Sequence, residues 1–209
     1  MPRLPASHFR RWSELGVATV YEAAGQQGLI HADLIQIVPG TSAAGPARTV
    51  RCGQGDNLAV HLVMERLEPG DILVLTMPEP KPVALVGELL ILQAQAHGAA
   101  GVLVDASIRD RDELVRIGLP VWARWVRATG TSKREPGEID VPVAVGGTTI
   151  EPGDVVVLDA DGAVVVGRGR LSEVLRSAEA RRAKEESVRP QLQAGELTAD
   201  IYGFRGSGR

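Results

Sequence analysis

Between Ile72 and Ala123 the chain alternates strand-like and helix-like text, and this rhythm restricts the fold more than any other feature. The turn Glu68-Pro69-Gly70-Asp71 delivers the apolar run Ile72-Leu73-Val74-Leu75. A helix is predicted from Glu88 to His97, opened by Gly87 and closed by Gly98, followed by the strand Val102-Leu103-Val104-Asp105. A loop holding Arg109 and Asp110 leads to a short helix, Asp112 to Ile117, and then to the strand Pro120-Val121-Trp122-Ala123. Fully apolar strands separated by helices bury both faces and pair in parallel, so the pattern implies a parallel α/β core.

The flanks read differently. Val17, Val20, Tyr21 and Ala24 recur at helical spacing, which predicts an N-terminal helix over residues 5–27 ended by Gly25 and Gly28. Short strands are expected between Ile35 and Arg51, and a helix from Asn57 to Leu67. After Gly130 a small β-rich layer follows: Val141 to Val145, Thr148 to Ile150, Val155 to Leu158 and Ala163 to Val166. Gly-Gly, Pro-Gly-Asp and Asp-Gly turns separate these strands. Pro-Gly-Asp occurs at 69–71 and again at 152–154, either as a duplication or as one turn solution used twice. A charged helix from Leu171 to Gln193 precedes a tail with Tyr202 and Phe204, apolar residues suited to packing on a neighbouring subunit. No linker divides the chain, so 1–209 reads as one domain, with a C-terminal helix and tail over 171–209.

Composition excludes several classes of function. The formal charge is −3 and no basic block matches a phosphate backbone, so a nucleic-acid partner is not expected. One cysteine, Cys52, forbids an internal disulfide and fits a reducing compartment. No run is long enough to span a bilayer and the N-terminus lacks a signal-peptide core, so a cytoplasmic protein without membrane contact is expected. The four histidines show no metal-ligand spacing. No lysine lies in an apolar run that would prepare it as a Schiff base, which disfavours lysine-dependent aldol chemistry.

In parallel α/β folds, ligands gather beyond the carboxyl ends of strands and at helix starts. The amides of Gly87-Glu88-Leu89-Leu90 and the Arg109 guanidinium can hold a carboxylate, Asp110 offers a hard oxygen to a cation, and Glu88 can hold a cation's water. That inventory suits a 2-oxo acid and Mg²⁺. In isolation an Arg-Asp pair in a loop is more often a solvated surface pair. Arg124, between Trp122 and Trp125, is a further group able to reach a second carboxylate, against a default of core packing.

Gly87-Glu88-Leu89-Leu90, His97-Gly98-Ala99-Ala100-Gly101, Asp105 and Arg109-Asp110 together resemble a known family. It joins the 4-hydroxy-4-methyl-2-oxoglutarate/4-carboxy-4-hydroxy-2-oxoadipate aldolases with the regulator of ribonuclease E activity A. The likeness extends from Ala18-Thr19-Val20-Tyr21-Glu22-Ala23 through Leu119 to Ala123, Gly137 to Pro142, Pro152-Gly153-Asp154 and Asp161-Gly162 to Gly195–Tyr202. The aldolase branch carries an acid, twenty positions, then Arg-Asp. Glu88 and Arg109-Asp110 keep that spacing, with Glu in place of the commoner Asp, and Asp105-Ala106 stands where the family has Asp-Gly.

The resemblance implies a layered β/β/α core like that of swivelling domains, with N- and C-terminal helices. It implies a metal-dependent aldolase that cleaves 4-hydroxy-2-oxo di- or tricarboxylic acids to pyruvate and decarboxylates oxaloacetate as a side activity. Gly87, Glu88, Leu89, Leu90 and Arg109 would bind the substrate, and Asp110 would ligate Mg²⁺ or Mn²⁺. Glu88 would orient a water, while Glu22 and Glu185 would reach the site across a subunit interface of a homotrimer or hexamer. The alternative is a non-catalytic regulator that binds a protein such as ribonuclease E.

Overall fold

A computed structural model describes residues 6–206. In chain order its elements begin with helix α1 (Ala6–Ala23), strands β1 (Ile35–Gln36) and β2 (Ala43–Arg51), and helix α2 (Leu58–Val63), which runs on into a 3-10 turn. Then come β3 (Ile72–Thr76), β4 (Ala84–Val86), α3 (Glu88–Ala96), β5 (Gly101–Ile108), α4 (Arg111–Ile117) and β6 (Val121–Val126). The short strands β7 (Glu138–Ile139), β8 (Val143–Val145) and β9 (Thr148–Ile150) precede the hairpin of β10 (Val155–Asp159) and β11 (Gly162–Val166). Helices α5 (Leu171–Gln193) and α6 (Thr198–Ile201) close the chain.

The main sheet runs β1-β6-β5-β3-β2-β10-β11, with β4 added on β5 and β7 on β2. Strands β2, β3, β5 and β6 are mutually parallel, as the alternating rhythm requires, and β4 also lies parallel to β5. Strand β2 serves two layers. Its first half, Ala43 to Pro46, pairs antiparallel with β10, and its second half, Ala47 to Arg51, pairs parallel with β3.

Side-chain alternation builds the layers. Leu73, Leu75, Val102, Val104, Val121 and Ala123 face one core with Val60 of α2, Ile91 of α3 and Leu114 of α4. Their neighbours Ile72, Val74, Leu103 and Trp122 face the other way, onto Val143 and Ile150 and onto Val156, Leu158 and Val165 of the β10–β11 hairpin. The opposite face of that hairpin, Val155, Val157, Val164 and Val166, is covered by Trp12, Val20, Val174 and Leu175 of α1 and α5. The order is helices, sheet, β layer, outer helices: the β/β/α core with terminal helices anticipated from the sequence.

Two local findings differ from the expectations, and a third bears on an open alternative. The N-terminal helix ends at Ala23 rather than 27, and Pro5, where it was expected to begin, lies outside the described residues. It is also broken at Gly16, whose φ of 79° is left-handed, and the Asp159 carboxylate accepts the Val17 N–H at 2.7 Å to cap the second half. Strand β4 is an addition. Finally, both Pro-Gly-Asp segments form the same turn: Asp71 Oδ2 accepts the Glu68 N–H and Asp154 Oδ2 the Glu151 N–H, each at 3.0 Å. The two turns deliver strands to opposite sides of β2, one turn chemistry used twice.

Candidate active site

Pairing of β4 with β5 sets the site. Val86 pairs with Ile108, so the next residues, Gly87 and Arg109, leave the sheet side by side at its carboxyl end. The Arg109 amide donates to the Val86 carbonyl at 3.1 Å. One step further, the Glu88 amide at the start of α3 donates to Asp110 Oδ2 at 3.1 Å. Asp110 itself is left-handed, with φ 58° and ψ 41°, a conformation that costs a non-glycine residue energy and that surrounding contacts must hold. Arg109 Nε lies 3.5 Å from the same carboxylate oxygen.

Gly87 makes this approach feasible. A Cβ there would stand 2.4 Å from Asp110 Oδ2 and 3.0 Å from Arg109 Nε, inside contact distance of both functional groups. The helix-start donors are therefore divided. Asp110 takes the Glu88 amide, which the sequence had offered to a ligand. The amides of Leu89 and Leu90 in the first turn of α3 have no acceptor within the helix.

A cleft of about 590 Å³ opens over these groups. Gly87, Glu88, Leu89, Leu90, Arg109 and Asp110 all line it, so six of the residues singled out in the sequence share one wall. Glu22 and Glu185 are elsewhere in the chain. They meet through Arg181, whose guanidinium stands 3.9 Å from Glu22 and 3.0 Å from Glu185 on the outer face of α1 and α5.

The rest of the lining was not singled out as a site in the sequence. It contains Asn57 and His61, at the start and within α2, and Thr131 and Lys133 from the segment after β6. His61 is held below its ordinary pKa, first by burial and then by the Lys133 charge, so it is neutral near pH 7. Asn57 donates from Nδ2 to the Leu85 carbonyl at 2.9 Å, while its Oδ1 is buried without a partner. That leaves an uncommitted acceptor on a residue lining the cleft. The only sequence signal for these groups was their polarity in otherwise apolar or loop text, which is too common to single out a site.

Arg124 does not line the cleft. It sits within β6, pairs with the buried Asp105, and lies over the Trp125 ring at 5.9 Å. Burial pushes the Asp105 carboxyl up, and the Arg124 partner works against that shift. A larger cavity, about 700 Å³, opens at the ends of β2 and β3 beside Cys52 and Met77. Burial, with a contribution from Asp56, pushes the Cys52 thiol up to about 12, so no thiolate nucleophile is available there.

The carboxylates of the first cleft suit one kind of cation. Among the described residues no three His, Cys, Asp or Glu side chains converge as a metal-binding group, which does not fit a zinc-type cage. Mg²⁺ needs only one or two protein carboxylates and keeps waters, and Asp110, with Glu88 beside it in the cleft, meets that demand.

The family model described as RraA-like, aldolase/RraA, matches residues 17–165. The chain is a member of the RraA-like family. A protein of Halalkalibacterium halodurans, provisionally named a 4-hydroxy-4-methyl-2-oxoglutarate aldolase, is 37% identical over 143 residues, 68% of each chain. Among solved structures, an uncharacterized protein from Pseudomonas syringae matches with TM-score 0.83 and 25% identity, covering 94% of this chain and 92% of its own. Streptomyces coelicolor RraAS2, described as an unusual member of the RNase ES inhibitor RraA protein family, matches with TM-score 0.79 and 31% identity, covering 90% of this chain and 98% of its own. This RraA-like chain thus has relatives named for catalysis and for inhibition. Among the described residues no helix is long and apolar enough to cross a membrane.

Proposed function

We propose that this RraA-like protein is a divalent-metal-dependent aldolase that cleaves 4-hydroxy-2-oxo acids to pyruvate and decarboxylates oxaloacetate. The observation that carries the reading is the convergence of Gly87, Glu88, Arg109 and Asp110 on one cleft, with the glycine sterically required for the approach. The aldolase-named relative supports the same chemistry.

The chain's own groups take these roles. Arg109 and the Leu89 and Leu90 amides bind and orient the pyruvyl carboxylate and keto oxygen. Asp110 would hold Mg²⁺ or Mn²⁺, which supplies Lewis-acid polarisation of the keto oxygen when bound. Glu88 orients the water that accepts the 4-hydroxyl proton. Breaking the C3–C4 bond leaves an electron pair that resonates onto the keto oxygen, where the Arg109 guanidinium stabilises the charge. Protonation at C3 by water then yields pyruvate. Loss of carbon dioxide from oxaloacetate leaves the same electron pair and needs the same groups.

Glu22 and Glu185 stand away from the cleft of their own chain, and in a homotrimer or hexamer they would complete a neighbouring site. The exposed Leu89, 78% accessible at the cleft wall, is consistent with a subunit covering this mouth. A second reading, a non-catalytic regulator that binds a protein partner, is favoured by the likeness to the Streptomyces structure. The test is pyruvate release from oxaloacetate with Mg²⁺ and with EDTA. Turnover abolished by EDTA and by Asp110→Ala supports the enzyme. No turnover by the wild type, or an Asp110→Ala variant that behaves like it, ends this reading.

A further inference from the structure

We propose that Asp56 is a positioning residue of the cleft, a latch that fixes Lys133 at the cleft wall and thereby sets the preference for acids with a second carboxylate. This rests on the function proposed above. The cleft wall that carries His61 and Lys133 is made from two pieces that regular structure holds poorly: α2, six residues long, and the irregular segment 131–135. Asp56 joins them. It is 1% exposed and does not itself line the cleft.

Its two carboxylate oxygens face different pieces. Oδ1 accepts the Leu58 amide at 2.8 Å at the start of α2, the helix that carries His61. Oδ2 accepts the Ser132 hydroxyl and the Arg134 amide, both at 2.6 Å. Lys133 lies between those two donors in the chain, so the latch holds its backbone from both sides. Two backbone bonds complete the junction: Asn57 N–H to the Ser132 carbonyl and Ser132 N–H to the Gly55 carbonyl, each 3.0 Å. A lysine is a flexible point charge, and its usefulness to a ligand depends on where its stem begins. The latch fixes that origin at the cleft wall, near His61. A substrate with one carboxylate at the pyruvyl end is held by Arg109 and α3. A substrate with a second carboxylate at the far end meets Lys133.

The experiment compares Asp56→Asn with wild type on two substrates. The amide keeps the volume but offers a donor where Arg134 N–H and the Ser132 hydroxyl need an acceptor. The expected result is a rise of tenfold or more in KM for oxaloacetate, with kcat within threefold and pyruvate C3 deuterium exchange within twofold. Lys133→Ala should give the same KM rise, and the double variant no more than either alone. Should Asp56→Asn fail to fold, Ser132→Ala is expected to raise KM about threefold with the same selectivity. Parallel loss of oxaloacetate turnover and pyruvate exchange overturns the proposal, as do additive effects of Asp56→Asn and Lys133→Ala. If the wild type shows no metal-dependent turnover, the aldolase reading fails. The latch is then judged by amide exchange at Asn57 and Arg134: tenfold faster exchange in Asp56→Asn supports it, and unchanged exchange overturns it.

Discussion

The Glu88 amide donates to Asp110 Oδ2 across 3.1 Å, so the first turn of one helix is tied to the left-handed residue that opens the next. The bond orients the carboxylate from the side of α3 and leaves Oδ1 for another partner. It also places a negative charge at the positive end of the α3 dipole, a favourable arrangement for the ionised acid. Gly87 stands against this pair with no room for a methyl group.

Gly87→Ala is therefore expected to damage the site far more than the fold. Its φ of −142° is open to any residue, so the cost lies in the 2.4 Å approach to Asp110 rather than in the backbone. Metal-dependent turnover should fall at least a hundredfold while the urea midpoint shows a loss of only about 1–2 kcal/mol, the range for modest overpacking. Turnover within threefold of wild type would mean that Asp110 has another place to go.

Arg109→Lys should be a poor replacement. A lysine cannot present the two parallel donors that match a carboxylate, so kcat/KM for oxaloacetate should drop about a hundredfold, near 3 kcal/mol of lost transition-state binding. Steady-state kinetics at saturating Mg²⁺ would measure it.

Asp56 gives the fold an acid-sensitive point. Burial works to raise its pKa, but hydrogen bonds from Ser132, Leu58, Arg134 and Glu135 outweigh it and hold the carboxyl down to about 2, against an ordinary 3.8. A depressed carboxyl stabilises the folded state above its unfolded pKa and loses that contribution as pH falls toward the folded value. The stabilisation, about 2 kcal/mol, is thus complete above about pH 5 and lost progressively from about pH 4 to 2. Urea unfolding at pH 7 and pH 3 should show a smaller acid-dependent loss in Asp56→Asn than in wild type.

Asp159→Ala removes the cap at the Gly16 break. About 1 kcal/mol of stability should be lost, with faster amide exchange concentrated after Val17, while activity per folded molecule is retained.

Cys52 should be inert. With its thiol pushed up to about 12 and the side chain buried, a disulfide reagent at pH 8 should label it only after unfolding. Rapid labelling of the native protein would contradict this packing.

The parallel core was readable because β3 and β5 are buried on both faces, and that burial writes itself as the apolar runs Ile72 to Leu75 and Val102 to Val104. Helix α5 matched its predicted span for a related reason, since its charged text is interrupted by Val174, Leu175 and Ala178 packed against the hairpin. Strand β4 escaped because three residues following Lys81-Pro82 carry no period, yet its pairing with β5 puts Gly87 beside Arg109. The arginine-aspartate wall was found through strand-end logic and resemblance. The wall of His61 and Lys133 was not, because contacts between separate segments, organised by Asp56, leave no local pattern. Arg124 keeps to its default of packing rather than reaching the cleft: it lies inside a strand, and its buried partner Asp105 is contributed by the strand alongside.

The dual pairing of β2 has a bearing on how the molecule comes apart. Ladder hydrogen bonds on its first half hold the hairpin of the outer layer, and those on its second half hold the parallel sheet above the helices. Neither layer can peel away without breaking bonds to the same strand. Melting should therefore proceed as one cooperative transition, with amides of Ala43 to Val50 among the last to exchange.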